Sequence, residues 1–175
     1  MISPVSWSIE IATAADADEV AALHYLSHTK SFATFASPDW VASRRLANYQ
    51  TQWRETLSKA DPRDRSWVAR SERKVVGMVR IMPMPDDGLA QLVSMHVHPD
   101  HQGQGIGTAL MKVAEEFLQA CGYRRAILGV IHANDKARRL YERAGWTVVE
   151  ARPTGIEGVP FDIYGKKIGT AGPTA

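Results

Sequence analysis

Cys121 is the only thiol in this chain, so no internal disulfide braces it and every zinc site built from several cysteines is excluded. It stands in an apolar periodic stretch just before Gly122 and reads as a small core residue. No basic cluster followed by an apolar run opens the sequence, which argues against a secretory leader. No uninterrupted apolar stretch is long enough to span a bilayer. Neither sign of charge dominates: 21 Lys and Arg face 19 Asp and Glu, too even a balance to point to nucleic acid or an anionic membrane as partner. Internal repeats and low-complexity tracts are also missing. What remains is 175 residues, 45% hydrophobic and 23% charged, an ordinary globular composition. The expectation is one cytoplasmic domain over residues 1–175, its core over residues 7–168, with frayed ends at 1–6 and 169–175.

Apolar spacing places the elements. Trp7 to Ile11 suggests a first strand, and Thr13 with Asp16 three residues on is an acidic variant of a capping box. Val20, Ala21, Leu23 and Leu26 then recur at helical spacing, predicting a helix from about Ala14 to His28. Ser31 to Trp40 is aromatic and irregular, with Pro38 as a breaker. Leu46, Tyr49, Trp53 and Leu57 mark a second helix that stops before Pro62. Trp67 to Arg70 and Val75 to Met82 read as strands joined by a hairpin at Ser71 to Lys74. Leu89 to His98 is a further strand, Thr108 to Leu118 a helix ending near Gly122, and Ala126 to Val130 a short buried strand. Asp135 to Ala144 is helical, and Trp146 to Glu150 and Phe161 to Ile168 close the chain as strands. Strands outnumber helices without strict alternation, which disfavours a doubly wound sheet and fits a mixed sheet flanked by helices.

The densest signal lies between Val93 and Leu110, where a strand ends at Pro99 and the run Gln102-Gly103-Gln104-Gly105-Ile106-Gly107 opens a helix. Glycine allows positive φ and close approach to a bulky anion. Backbone N–H groups at a helix N-terminus add partial positive charge. A pyrophosphate fits that arrangement. The spacing G-x-G-x-G differs from the dinucleotide fingerprint, and no Gly-Lys-Ser/Thr follows as a triphosphate loop requires. A glycine-rich start to a helix with no ligand is the plain alternative.

Two separated blocks carry a resemblance. The first is Leu92, Met95, Val97 and Pro99 followed by Gln102, Gly105 and Gly107. The second is Asn134 leading a helix through Leu140-Tyr141-Glu142 to Gly145-Trp146. In this order they resemble the GNAT superfamily of acyl-CoA N-acyltransferases, over about residues 67–146. The resemblance implies an α/β (α+β) fold with a mixed, mostly antiparallel sheet of about seven strands flanked by four helices, splayed between the fourth and fifth strands. It implies acetyl-CoA as co-substrate, no metal, and transfer of an acetyl group to an amine.

By the same resemblance the backbone of Met95, His96 and Val97 would hold pantetheine, and the Val97 N–H would polarise the thioester carbonyl. The N–H groups of Gln102, Gly103, Gln104, Gly105, Ile106, Gly107 and Thr108 would hold the pyrophosphate. Asn134 would lie near the pantetheine arm, although it is equally natural as a helix cap. Tyr141 would protonate the departing thiolate, its plain alternative being a packed core residue. Several family members place a glutamate base on the fourth strand. Gln91 stands there in this chain and cannot act as a base. His96 is the substitute candidate, because an imidazole titrates near neutrality.

A different chemistry is also written in the sequence. His96-Val97-His98-Pro99-Asp100-His101 spells H-x-H-x-D-H, suitable for a first-row metal and a zinc-dependent hydrolase. Such a site needs further histidine and aspartate ligands well downstream, and the one histidine that follows, His132, falls too early. A third reading keeps the acyl-CoA site but makes it a sensor. In the family the acceptor is set by the loop between the first two helices and by the last strands, here His28 to Trp40 and Gly155 to Phe161. His28, Lys30, Phe32, Phe35 and Trp40 suggest a partly aromatic pocket for a small-molecule amine. Protein N-terminal or lysine acetylation is the runner-up, and a homodimer is open.

Overall fold

The computed structural model describes residues 6–156 and 159–169; most of the expected frayed ends, and Glu157 and Gly158 of the expected acceptor loop, lie outside them. Seven strands form one sheet in the order β1-β2-β3-β4-β5-β7-β6. In chain order the elements are β1 (Trp7–Ile11), α1 (Ala17–Leu26), α2 (Pro38–Ala42), α3 (Leu46–Ser58), β2 (Arg65–Ser71), β3 (Lys74–Pro83), β4 (Leu89–Val97), α4 (Ile106–Ala120), β5 (Arg125–Ile131), α5 (Asp135–Arg143), β6 (Thr147–Ile156) and β7 (Val159–Lys167). The contacts divide into two compact units, Met1–Arg80 with Ser94–Leu110, and Ile81–Val93 with Met111–Ala175.

In the first unit the capping expectation holds. The Asp16 carboxylate accepts from the Thr13 N–H at 2.8 Å and the Thr13 hydroxyl at 3.1 Å. It also accepts from Arg70 at 2.6 Å. α1 then buries Val20, Ala21 and Leu23 in one cluster with Tyr49 and Trp53 of α3 and Val68, Val75 and Met78 of β2 and β3. The helix does not simply end at His28. Its last turn widens into a π-helical turn over Ser27–Ser31, a rare geometry often found at functional sites. The irregular stretch expected up to Trp40 contains α2, because Pro38 starts a helix rather than breaking one. Ser37 caps it, its hydroxyl accepting from the Trp40 N–H at 3.2 Å, and proline is well suited to the first helical position.

β1 pairs antiparallel with β2, from Trp7↔Ser71 to Ile11↔Trp67. The turn after β2 has Glu72 at φ 47° and Arg73 at φ 69°, two consecutive left-handed residues as a type I′ hairpin turn requires.

In the second unit β4 pairs parallel with β5 from Leu89↔Arg125 to Leu92↔Leu128. The register ends there, within β4 (Leu89–Val97) and β5 (Arg125–Ile131). Ser94, two residues past the last pair, has φ 53°. A left-handed residue inside a strand bends it and breaks the ladder, as a bulge does. β5 pairs antiparallel with β7 along its whole length, and β7 with β6. β6 is longer than expected and carries irregularities between Val148 and Glu150 and between Arg152 and Ile156. Trp146 is buried, and its indole donates to Glu115 at 2.8 Å.

Candidate functional site

The glycine segment is built as a cradle. After β4 a single 3-10 turn, Pro99–His101, redirects the chain, and Gln102 folds back to donate from Nε2 to the Val97 carbonyl at 3.1 Å. Gly103 and Gly105 have φ 80° and 83°, which L side chains adopt only with strain. A Cβ on Gly103 would meet nothing within 4 Å, and one on Gly105 only the Trp7 ring at 4.0 Å. Packing therefore does not demand glycine here; the backbone conformation does, and the space in front of it is open. The first bond of α4 runs from the Ala109 N–H to the Gly105 carbonyl at 3.0 Å. The N–H groups of Ile106, Gly107 and Thr108 thus precede the first intrahelical donor and are left for a ligand or water. Residues 102–105 are exposed. Donor set, polarity and space suit a pyrophosphate.

His96, just before Val97, does not converge with the other histidines of its motif. His98 accepts from the Asp100 N–H at 3.3 Å, and its ring lies 5.8 Å from that of His101. His96 instead joins His24 and His28. Among the described residues these three form the one group whose ring nitrogens all lie within 4.8 Å of one another. The reading of the loop between the first two helices placed His28 near the acceptor but passed over His24. Their i, i+4 spacing on one helix face was the available signal.

Each imidazole has a second partner. Trp53 Nε1–H donates to His24 Nδ1 at 3.0 Å. His28 Nδ1 lies 2.7 Å from the Tyr49 hydroxyl and His96 Nδ1 2.7 Å from the Ser27 hydroxyl. Since indole is a donor only, His24 Nδ1 must be the acceptor, and the ring hydrogen of neutral His24 sits on Nε2. That nitrogen then has no lone pair to offer a cation, which argues against a metal at this group. Burial, with repulsion from His28, pulls the His24 pKa down to about 3. Burial and the Arg44 charge pull His28 down to about 4. Burial and the other two imidazoles hold His96 well below its ordinary value. His96 thus titrates below neutrality, contrary to the sequence expectation, and the trio is uncharged at pH 7.

The second unit carries the other predicted residues. Asn134 is the cap of α5, its side-chain oxygen accepting from the Ala137 N–H at 3.2 Å. One α5 face brings Tyr141 inward, where it is 6% exposed. Burial pushes its pKa up to about 12, so the phenol keeps its proton. Two neighbouring tyrosines differ in their bonds. Tyr164, 6.2 Å away ring to ring, donates to Glu142 at 2.8 Å and accepts from Arg138 at 3.1 Å. No hydrogen bond to the Tyr141 hydroxyl is seen among the described residues. Gln91 sits on β4 within the paired stretch, opposite Ile127.

Among the described residues no helix is long and apolar enough to cross a membrane. Residues 29–146 match the sequence profile of the acetyltransferase (GNAT) family. The chain is 37% identical over 84 residues to human N-acetyltransferase 8B, an alignment covering 46% of this chain and 37% of that protein. It thus spans little more than a third of the length of the first curated relatives it matches. It is 29% identical over 134 residues to an uncharacterized N-acetyltransferase of Mycobacterium tuberculosis (strain ATCC 25618 / H37Rv), covering 76% of this chain and 84% of that one. Its fold is similar to that of an N-acetyltransferase from Thermoplasma acidophilum in complex with coenzyme A, with TM-score 0.80 and 18% identity over 93% of this chain and 99% of the other. A second likeness is to a putative acetyltransferase of Salmonella typhimurium solved with acetyl-CoA, at TM-score 0.75 and 19% identity over 97% and 99% of the two chains.

Proposed function

This chain belongs to the acetyltransferase (GNAT) family, and on that premise we propose that it transfers an acetyl group from acetyl-CoA to a primary amine of a small molecule. The observation that carries this reading is the open glycine cradle at residues 103–108, whose left-handed backbone and free helix-start N–H groups have no packing purpose. In the proposal the N–H groups of residues 103–108 bind the pyrophosphate; that of Gln102, expected among them, already donates to the Pro99 carbonyl at 3.3 Å. The backbone of Met95, His96 and Val97 holds the pantetheine arm, with Asn134 near it.

The amine nitrogen attacks the thioester carbonyl directly. The Val97 N–H stabilises the negative charge that develops on the carbonyl oxygen. As the C–S bond breaks, Tyr141 donates its proton to the sulfur. What supports this role is a phenol kept protonated by burial, with no hydrogen bond to its hydroxyl among the described residues. The proton lost by the ammonium passes to water; His96, expected as the base, is held well below its ordinary basicity by burial and is poorly suited to take it. The proposed setting is the cytoplasm.

Calorimetric titration with acetyl-CoA, followed by thiol-release assays with a panel of amines, tests the proposal. Binding and amine-dependent release of CoA are expected. Failure to bind acetyl-CoA would remove the reading. Preferential acetylation of peptide N-termini or lysines would leave the transferase and remove the small-molecule acceptor.

A further inference from the structure

Arg44 is a half-buried guanidinium for which no carboxylate partner is seen among the described residues. Its Nε donates to the Trp40 carbonyl at 3.2 Å and its Nη2 to the Ser43 hydroxyl at 2.9 Å. Its guanidinium carbon lies 4.4 Å above the centre of the Trp40 ring, and its charge acts on the Tyr49 phenol and on His28. The acidic groups at and just before the start of α1 are engaged elsewhere. Asp16 binds Arg70 at 2.6 Å, Asp18 binds Arg54 at 2.8 Å, and Glu19 accepts the Val75 N–H at 2.9 Å.

This cation adjoins the imidazole trio through two residues. Tyr49, which feels its charge, has its hydroxyl 2.7 Å from His28 Nδ1. Trp40, beneath it, lies 5.4 Å from the His28 ring, and Phe32 lies 4.9 Å from it. His28 in turn lies 5.7 Å from His96. The group therefore has neutral nitrogen donors and acceptors at one end, aromatic walls, and one fixed positive charge at the other. A guanidinium offers donors in a planar fork that matches a carboxylate, and its placement over an aromatic ring leaves its edge for such a partner.

We infer that Arg44 is the anchor for a carboxylate on the acceptor, so that the acceptor is an amino acid or similar amine with an apolar or aromatic spacer between its two ends. The spacer lies along Trp40, Phe32 and His28, with the amine toward His96. This rests on the acetyl-transfer reading for the role of the amine, while the carboxylate subsite stands on Arg44 and its neighbours alone. Polyamines and other acceptors without an anionic group are disfavoured by the same charge.

The test separates the two. Binding of 4-phenylbutyrate and of its neutral amide is measured by calorimetry on the whole chain, with no turnover required. The unmodified protein is expected to bind the acid about ten-fold or more tighter than the amide, the usual scale for a charge-assisted hydrogen-bonded pair. Arg44→Met, which keeps an apolar stem over Trp40, should abolish that preference, and Arg44→Lys should restore part of it. Equal binding of acid and amide by the unmodified protein overturns the inference, as does an acid preference that survives in Arg44→Met. Loss of the preference in a protein that acetylates no amine would uphold the subsite and defeat acetyl transfer instead.

Discussion

Trp53 donates its indole N–H to Nδ1 of His24 across 3.0 Å, and the bond decides which nitrogen of His24 carries the ring hydrogen. Both residues are buried, at 1% and 7% exposure. Trp53→Phe keeps a smaller ring in place and removes the N–H donor. It is expected to lower stability by about 1–3 kcal/mol for the unpaired acceptor and the lost packing. Chemical denaturation measures this. Nitrogen NMR of His24 should show the hydrogen on Nε2 in the unmodified protein and a mixture in the variant; a mixture in both would contradict the assignment.

Acid should unfold this protein early. His24 titrates at about 3 when folded, against an ordinary 6.5. Between those values the unfolded chain binds a proton that the folded chain does not, so stability falls as pH falls. The slope from His24 alone is about 1.4 kcal/mol per pH unit within that window. His28, lowered to about 4, steepens it. Urea midpoints measured from pH 7 to pH 4 should drop, and His24→Asn should flatten the curve.

Tyr141→Phe is expected to reduce kcat by about 10²–10⁴-fold, the range for loss of a general acid. Acetyl-CoA affinity should stay close to unchanged, because a ring of the same shape fills the buried site. Steady-state kinetics with calorimetry check both halves, and unaltered kcat would return Tyr141 to a purely packing role.

Gly105→Val should weaken acetyl-CoA binding strongly while the protein still folds. The added side chain enters open space near Trp7, so no core contact is lost. The backbone at φ 83° becomes strained by about 1–3 kcal/mol. Thermal melting separates that modest cost from the loss of affinity.

The strands and long helices were legible because their apolar spacing is regular, and the glycine segment was legible because only glycine suits its backbone. Element ends moved by a few residues, as α4 shows by starting at Ile106 rather than Thr108. Three features were not legible. Ser94 and the Glu72–Arg73 turn adopt left-handed conformations without glycine or asparagine, so residue type gave no warning. Pro38 was read as a breaker although Ser37 before it marks a helix start. The imidazole trio joins α1 and its π-helical turn to β4, and nothing local in either segment announces a partner so distant in sequence. The motif around His96 drew attention to neighbours along the strand, whereas the fold turned that ring toward another element.

The exposed cradle at residues 102–105 has a practical consequence for mass spectrometry. Amide hydrogens that lack an intrahelical acceptor exchange quickly with deuterated water, whereas those of the strand and helix do not. Deuterium uptake by peptides covering residues 102–108, cut from the acid-quenched protein by an acid-stable protease and compared with and without a bound molecule, therefore reports occupancy of the cradle even when no reaction is known to follow.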